Sequence, residues 1–235
     1  MIINNLELIK PLLIFKSNDI FYHLQILKRK KDCAEHDKGR NNNARCIKTY
    51  YITSIDYLNS HIDEIIKLCQ FFNARAYINL NAKSFEKVSF ELNSQLADRL
   101  KFKQFNYCYR LYETVVGNGY SSEDEFDKVL TDKEKEIISS RVNVGEKRWI
   151  VDIDEKEISP LMVAHIEYGC DPISKFETDF LGFGCDFNSK IITTIPTKNG
   201  WHLITKPFNR KQFSDKYPKV DIQINNPTIL YYEND

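Results

Sequence analysis

Apolar and polar positions along this chain fall into blocks whose spacing predicts helices and strands. Residues 5–27 read as helical segments around Pro11, with Phe21, Leu24 and Leu27 at helical spacing. Residues 48–53 (KTYYIT) read as a strand. Ser54 then caps a helix whose apolar face is Ile55, Leu58, Ile62, Ile65, Ile66 and Cys69. Residues 75–80 (RAYINL) alternate as a strand does, and Ser84 opens a helix with Phe85, Val88, Leu92, Leu96 and Leu100 along one side. A strand–helix–strand–helix pattern therefore occupies 48–101.

The aromatic-rich stretch 102–120, with Phe102, Phe105, Tyr107, Tyr109 and Tyr112, is spaced like the packed face of a helix. A stacking platform for bases is its functional alternative. Thr131 and Glu134 have the capping-box spacing for a helix over 132–140. A short apolar strand follows at 148–155, then a helix started by Ser159 and Pro160 and stopped by Gly169. The clearest hairpin joins 191–196 to 201–205 through a turn containing Asn199 and Gly200. A short helix over 209–216 comes next, and 220–224 and 228–232 close the chain as a strand pair around Asn225, Asn226 and Pro227. The pattern predicts an α+β fold: an N-terminal αβ half over 1–120, an acidic connection and helix over 121–147, and a C-terminal sheet half over 148–235.

Net charge adds no argument about partners, because Lys+Arg and Asp+Glu both total 33 among the 235 residues. Their distribution adds more. The loop at 28–48 is basic, and Lys30, Lys31, Arg40, Arg45 and Lys48 are candidate contacts to nucleic-acid phosphates, with a plain solvated loop as the alternative. Cys33, His36 and Cys46 are three conceivable zinc ligands with no fourth at a recognised spacing. The six cysteines form no C-x-x-C pair, which fits reduced thiols in a cytoplasmic protein. No stretch has the layout of a signal peptide or of a membrane span.

The chemistry concentrates in the C-terminal half. Asp152 and Asp154 are spaced two apart on an apolar strand, so they face one way while Trp149, Val151 and Ile153 face a core. Two neighbouring carboxylates repel, and a divalent cation relieves that repulsion, so a Mg²⁺ or Mn²⁺ site is the functional reading, with two solvated aspartates at a surface strand end as the alternative. The turn Lys198-Asn199-Gly200 leads into a strand carrying His202, and a further apolar strand carries Asp221.

This order of motifs resembles the archaeo-eukaryotic primase superfamily, which includes primase-polymerases of phages and mobile elements. Its three motifs are matched by Val151-Asp152-Ile153-Asp154, by Lys198-Asn199-Gly200-Trp201-His202 and by Val220-Asp221, so the resemblance spans about 148–232. The second motif often has serine two residues before the histidine, where this chain has Gly200. The resemblance implies a mainly antiparallel, RRM-like sheet as a catalytic core. It implies metal-dependent nucleotidyl transfer in replication or repair, with Asp152, Asp154 and Asp221 as catalytic metal ligands. His202, Lys198, Gly200 and Arg148 would bind the nucleotide. Nucleoside triphosphates and a DNA template or primer would be partners, and a replicative helicase would be on a separate chain. Three other readings stay open: a non-catalytic nucleic-acid-binding replication accessory protein with the same fold, a D-x-D phosphatase of the haloacid-dehalogenase type, and a D-x-D glycosyltransferase.

Overall fold

The computed structural model describes residues 2–30, 44–101, 141–169 and 189–233. In chain order these form β1 (Ile2–Asn4), α1 (Leu6–Ile9) with a 3-10 turn (Lys10–Leu12), β2 (Ile20–Arg29), β3 (Ala44–Ile52) and α2 (Ile55–Phe72). Next come β4 (Arg75–Ile78), β5 (Lys83–Ser84), α3 (Phe85–Lys101), β6 (Trp149–Ile153) and α4 (Pro160–Tyr168). Last are β7 (Ile191–Pro196), β8 (Trp201–Thr205), α5 (Arg210–Lys216), β9 (Asp221–Gln223) and β10 (Thr228–Glu233). The fold is α+β with antiparallel sheets, and none of the described helices is long and apolar enough to cross a membrane. The chain divides into two compact units, Met1–Gly145 with Asn225–Asp235, and Glu146–Ile224.

The first unit is built on the sheet β1-β10-β4-β2-β3, with β5 also pairing β2. Phe21, Leu24 and Leu27 lie on β2 and not on a helix, which corrects the expectation for 5–27. The reason is the position of β2. It pairs with both β3 and β4, and eight of its ten residues are buried, so its apolar residues run almost without a break. Such a run has no period of two to distinguish it from a buried helix.

Helix α2 forms where the caps and the apolar stripe predicted it. Ser54 Oγ accepts from the backbone N–H of Tyr57 at 3.0 Å, Asn73 ends the helix in the left-handed conformation (φ 47°), and Leu58, Ile65 and Cys69 are buried. Ser54→Ala is expected to lower stability by about 1 kcal/mol, the usual loss for an N-cap. Thermal melts followed by far-UV circular dichroism would check this. Helix α3 packs Val88 and Phe85 against Phe21, and the Phe21 and Phe85 rings stack at 4.3 Å.

A chain of amide contacts fastens the points where the chain leaves and re-enters the first unit. Asn143 Nδ2 donates to Asn225 Oδ1 at 3.1 Å, and Asn79 Nδ2 donates to Asn225 O at 2.7 Å. Lys83, with no exposed surface, donates from Nζ to Asn143 Oδ1 at 2.7 Å.

The second unit is a four-stranded sheet in the order β7-β8-β6-β9. One face is covered by α4 and α5, where Val151, Ile153, Leu203 and Ile222 from the strands meet Met162, Ile166 and Phe213 from the helices. Helix α4 begins at Pro160 and stops at Gly169 (φ 72°), as the sequence predicts. Glu167 ties it to β7 by accepting the backbone N–H groups of Lys190 and Ile191 at 2.7 and 2.9 Å.

Residues 220–224 and 228–232 do not pair with each other, which corrects the expected closing pair. β9 pairs with β6, while β10 pairs with β1 and β4 of the first unit. Both segments are apolar strands, and strand pattern alone does not select a partner. The link 225–227 looks like a hairpin turn in sequence, but Asn225 is held by Asn79 and Asn143 instead. The predicted helix at 132–140, the aromatic stretch 102–120, and Cys33 and His36 lie outside the described residues, as does the acidic connection up to residue 140.

Candidate functional site

β6 is an interior strand, and Ile150, Val151 and Asp152 at its centre have cross-strand partners on both β8 and β9. Its odd-numbered residues enter the helix-covered core, which leaves Asp152 on the opposite face. The register then decides what meets Asp152: His202 stands opposite it on β8, and Asp221 stands opposite it on β9. Three residues far apart in sequence thus form one row, His202–Asp152–Asp221, across three adjacent strands. Neighbouring strands are about 4.8 Å apart, so the outer two members of the row lie roughly 10 Å from each other.

The contacts follow the row. His202 Nε2 lies 3.4 Å from Asp152 Oδ1. Gln223, two residues after Asp221 and therefore on the same face, donates its Nε2 to Asp221 Oδ2 at 2.9 Å and to Asp152 Oδ2 at 3.4 Å. One amide nitrogen therefore sits between two carboxylates and offsets part of their repulsion. Exposure grades along the row: His202 is buried, Asp152 and Gln223 are half-buried, and Asp221 is exposed. Ile150, Ile195 and Ile204 on the same face are buried, so the polar group borders an apolar surface that strengthens charge interactions there.

The turn before His202 is pressed against the end of β6. Thr197 N donates to Gly200 O at 2.9 Å, Gly200 N donates to Thr197 Oγ1 at 3.1 Å, and Lys198 and Asn199 occupy the exposed tip. A Cβ on Gly200 would stand 1.9 Å from Ile153 O and 3.0 Å from Glu155 O. The glycine is therefore a steric requirement, and a serine could not stand there in this backbone. The indole Nε1 of Trp201 donates to Lys156 O at 2.9 Å and fastens the loop that follows β6.

The remaining predicted residues are placed as follows. Asp154 lies one residue beyond the end of β6 and is exposed, outside the paired register that forms the row. Lys198 is at the exposed tip of the turn. Arg148 precedes β6 at the end remote from the turn, about 13 Å along the strand from Asp152 at 3.3 Å per residue, so it is not brought into the row.

Within the basic segment, Lys31 and Arg40 lie outside the described residues, and Lys30 is half-buried just after β2. Arg45 is exposed on β3. Lys48, also on β3, is paired with Glu64 of α2 and lies over the Tyr50 ring at 4.8 Å from its centroid. The hydrogen bond between Lys48 and Glu64 raises the pKa of the lysine and lowers that of the glutamate. Lys48 therefore has an internal partner for its charge.

Sequence reasoning missed Gln223. A glutamine carries no catalytic signature, and the only available signal was its parity with Asp221. Among the described residues no group of three or more histidine, cysteine, aspartate or glutamate side chains is arranged to hold a metal ion. Asp152 and Asp221 nevertheless present oxygen donors of the kind a hard divalent cation takes, close enough to share one amide nitrogen. No family model, curated protein or solved structure matches the chain.

Proposed function

We propose that the second unit carries a metal-dependent nucleotidyl-transfer site of the primase-polymerase type, acting on nucleoside triphosphates and a DNA primer or template. The observation that carries this reading is the row His202–Asp152–Asp221, assembled by strand register from three separate sequence motifs. Asp152 and Asp221 would hold Mg²⁺ or Mn²⁺. When bound, such an ion screens the phosphate charge and makes the attacking hydroxyl a better nucleophile.

The protein's own groups do the rest. Asp152 Oδ1 lies against the Nε2 edge of the His202 ring at 3.4 Å, and in this reading His202 would meet a phosphate oxygen of the incoming nucleotide through Nδ1. Lys198, at the tip of the adjoining turn, reaches toward the same charge. Gly200 lets the turn that carries Lys198 and leads into His202 lie against the end of β6. The family's serine contact has no counterpart here, and its work falls to Lys198 and His202. The mainly antiparallel sheet with two helices on one face agrees with such a core.

A thermal-shift titration of the full chain tests the reading. Both tryptophans, Trp149 and Trp201, belong to the second unit, so their emission follows that unit. Mn²⁺ and a nucleoside triphosphate together are expected to raise the midpoint more than either alone, since ligand at 100 times its Kd adds about 2.7 kcal/mol. Stabilisation by DNA alone, with none from Mn²⁺ and nucleotide, would favour the non-catalytic accessory role instead.

A further inference from the structure

Resting on the cation reading above, we propose that Gln223 supplies the third protein oxygen of the metal position, in the role that sequence alternation assigns to Asp154. The amide of Gln223 already occupies the space between the two carboxylates, at 2.9 Å from Asp221 Oδ2 and 3.4 Å from Asp152 Oδ2. Asp154 is beyond the strand and exposed.

The two ends of a glutamine amide are nearly equal in size and opposite in polarity. With no cation present, Nε2 faces the carboxylates and relieves their repulsion. With a cation present, turning the amide over puts Oε1 at the same place and completes a set of three oxygens. One side chain thus serves both states without a backbone movement.

The charge balance favours an amide at this position. Two carboxylates and a neutral oxygen match a divalent cation, whereas three carboxylates would leave a surplus negative charge facing an incoming triphosphate. Such a site binds the bare ion weakly and leaves coordination positions for phosphate oxygens.

Mn²⁺ binding to the full chain, read by the electron paramagnetic resonance signal of the free ion, tests this without any assay of activity. Gln223→Ala is expected to weaken binding by about tenfold or more, the low end of what loss of even a supporting metal contact does. Gln223→Glu, which keeps the shape and adds an oxygen donor, should bind as tightly as wild type or tighter. Asp154→Asn should stay well short of that tenfold loss, as for a residue that neither holds the ion nor supports a residue that does.

The proposal is overturned if Gln223→Ala binds Mn²⁺ as tightly as wild type or tighter, since the amide is then only a screen. It is also overturned if Gln223→Glu binds more weakly, or if Asp154→Asn loses the ion. In those cases wild type still binds and Asp152→Asn does not, so the cation reading survives. Absence of binding by wild type, with and without nucleotide, removes both.

Discussion

Raising the pH from about 6.5 to about 8.5 is expected to stabilise the first unit by roughly 1 kcal/mol per pH unit, through the deprotonation of one buried lysine. Lys83 has no exposed surface, and its ammonium meets a single neutral acceptor, Asn143 Oδ1. Burial pulls its pKa from 10.5 down to about 7. The folded state therefore binds fewer protons than the unfolded chain between these two values, and stability rises with pH across that window. Below about pH 7 both states carry the charge and the penalty is fully present, on the order of 5 kcal/mol.

At higher pH other groups oppose the gain. Burial pushes the Cys69 thiol and the Tyr50 and Tyr231 hydroxyls up to about 12, so their ionisation in the unfolded chain favours unfolding above about pH 9. Lys83→Met is expected to remove the rise between pH 7 and 8.5 and to be more stable than wild type at the lower end. Urea unfolding at several pH values, followed by far-UV circular dichroism, measures both chains. Parallel pH profiles for the two would show that Lys83 is not the source.

Replacing Gly200 by alanine is expected to destabilise the second unit by about 3 kcal/mol or more, at or above the upper range for forced overpacking. The contact that a Cβ would make, 1.9 Å from Ile153 O, is with backbone, so no side chain can move aside. Relief requires the turn and the end of β6 to separate, which also pulls His202 away from Asp152. Asn199→Ala and Lys198→Ala, at the exposed tip, are expected to stay within about 0.5 kcal/mol. Trp201 is the next residue and donates to Lys156 O, so its emission reports the damage directly. Equal stability of Gly200→Ala and Asn199→Ala would refute the close-approach account.

Much of this fold was legible because local rules and tertiary packing agree. Helix α2 has its cap at Ser54 and its stripe of buried residues, helix α4 has Pro160 and Gly169 at its ends, and the β7–β8 hairpin has a polar turn between apolar strands. β2 was misread because burial on both faces erases the alternation that marks a strand. The pairing of β10 was not legible because an apolar strand does not encode its partners, and these, β1 and β4, both lie far away in sequence.

The candidate site divides in the same way. Asp152, His202 and Asp221 were visible as polar residues on apolar strands, and register brings them into one row. Gln223 was invisible because its interest lies entirely in standing between two carboxylates. The need for glycine at 200 was equally hidden, since the atom it avoids belongs to a strand distant in sequence.

The proposed role of the His202–Asp152–Asp221 row in metal-dependent nucleotidyl transfer is open to a direct test. The most direct measurement is extension of a primed DNA template by the full chain with Mn²⁺ and nucleoside triphosphates, comparing wild type with Asp152→Asn. The expected result is template-dependent extension by wild type and a loss of about a hundredfold to a thousandfold in the variant, on the scale of removing one essential charge-stabilising group, with the tryptophan emission of the folded state unchanged. Extension by Asp152→Asn at the wild-type rate, or none by folded wild type across Mg²⁺ and Mn²⁺, would contradict it.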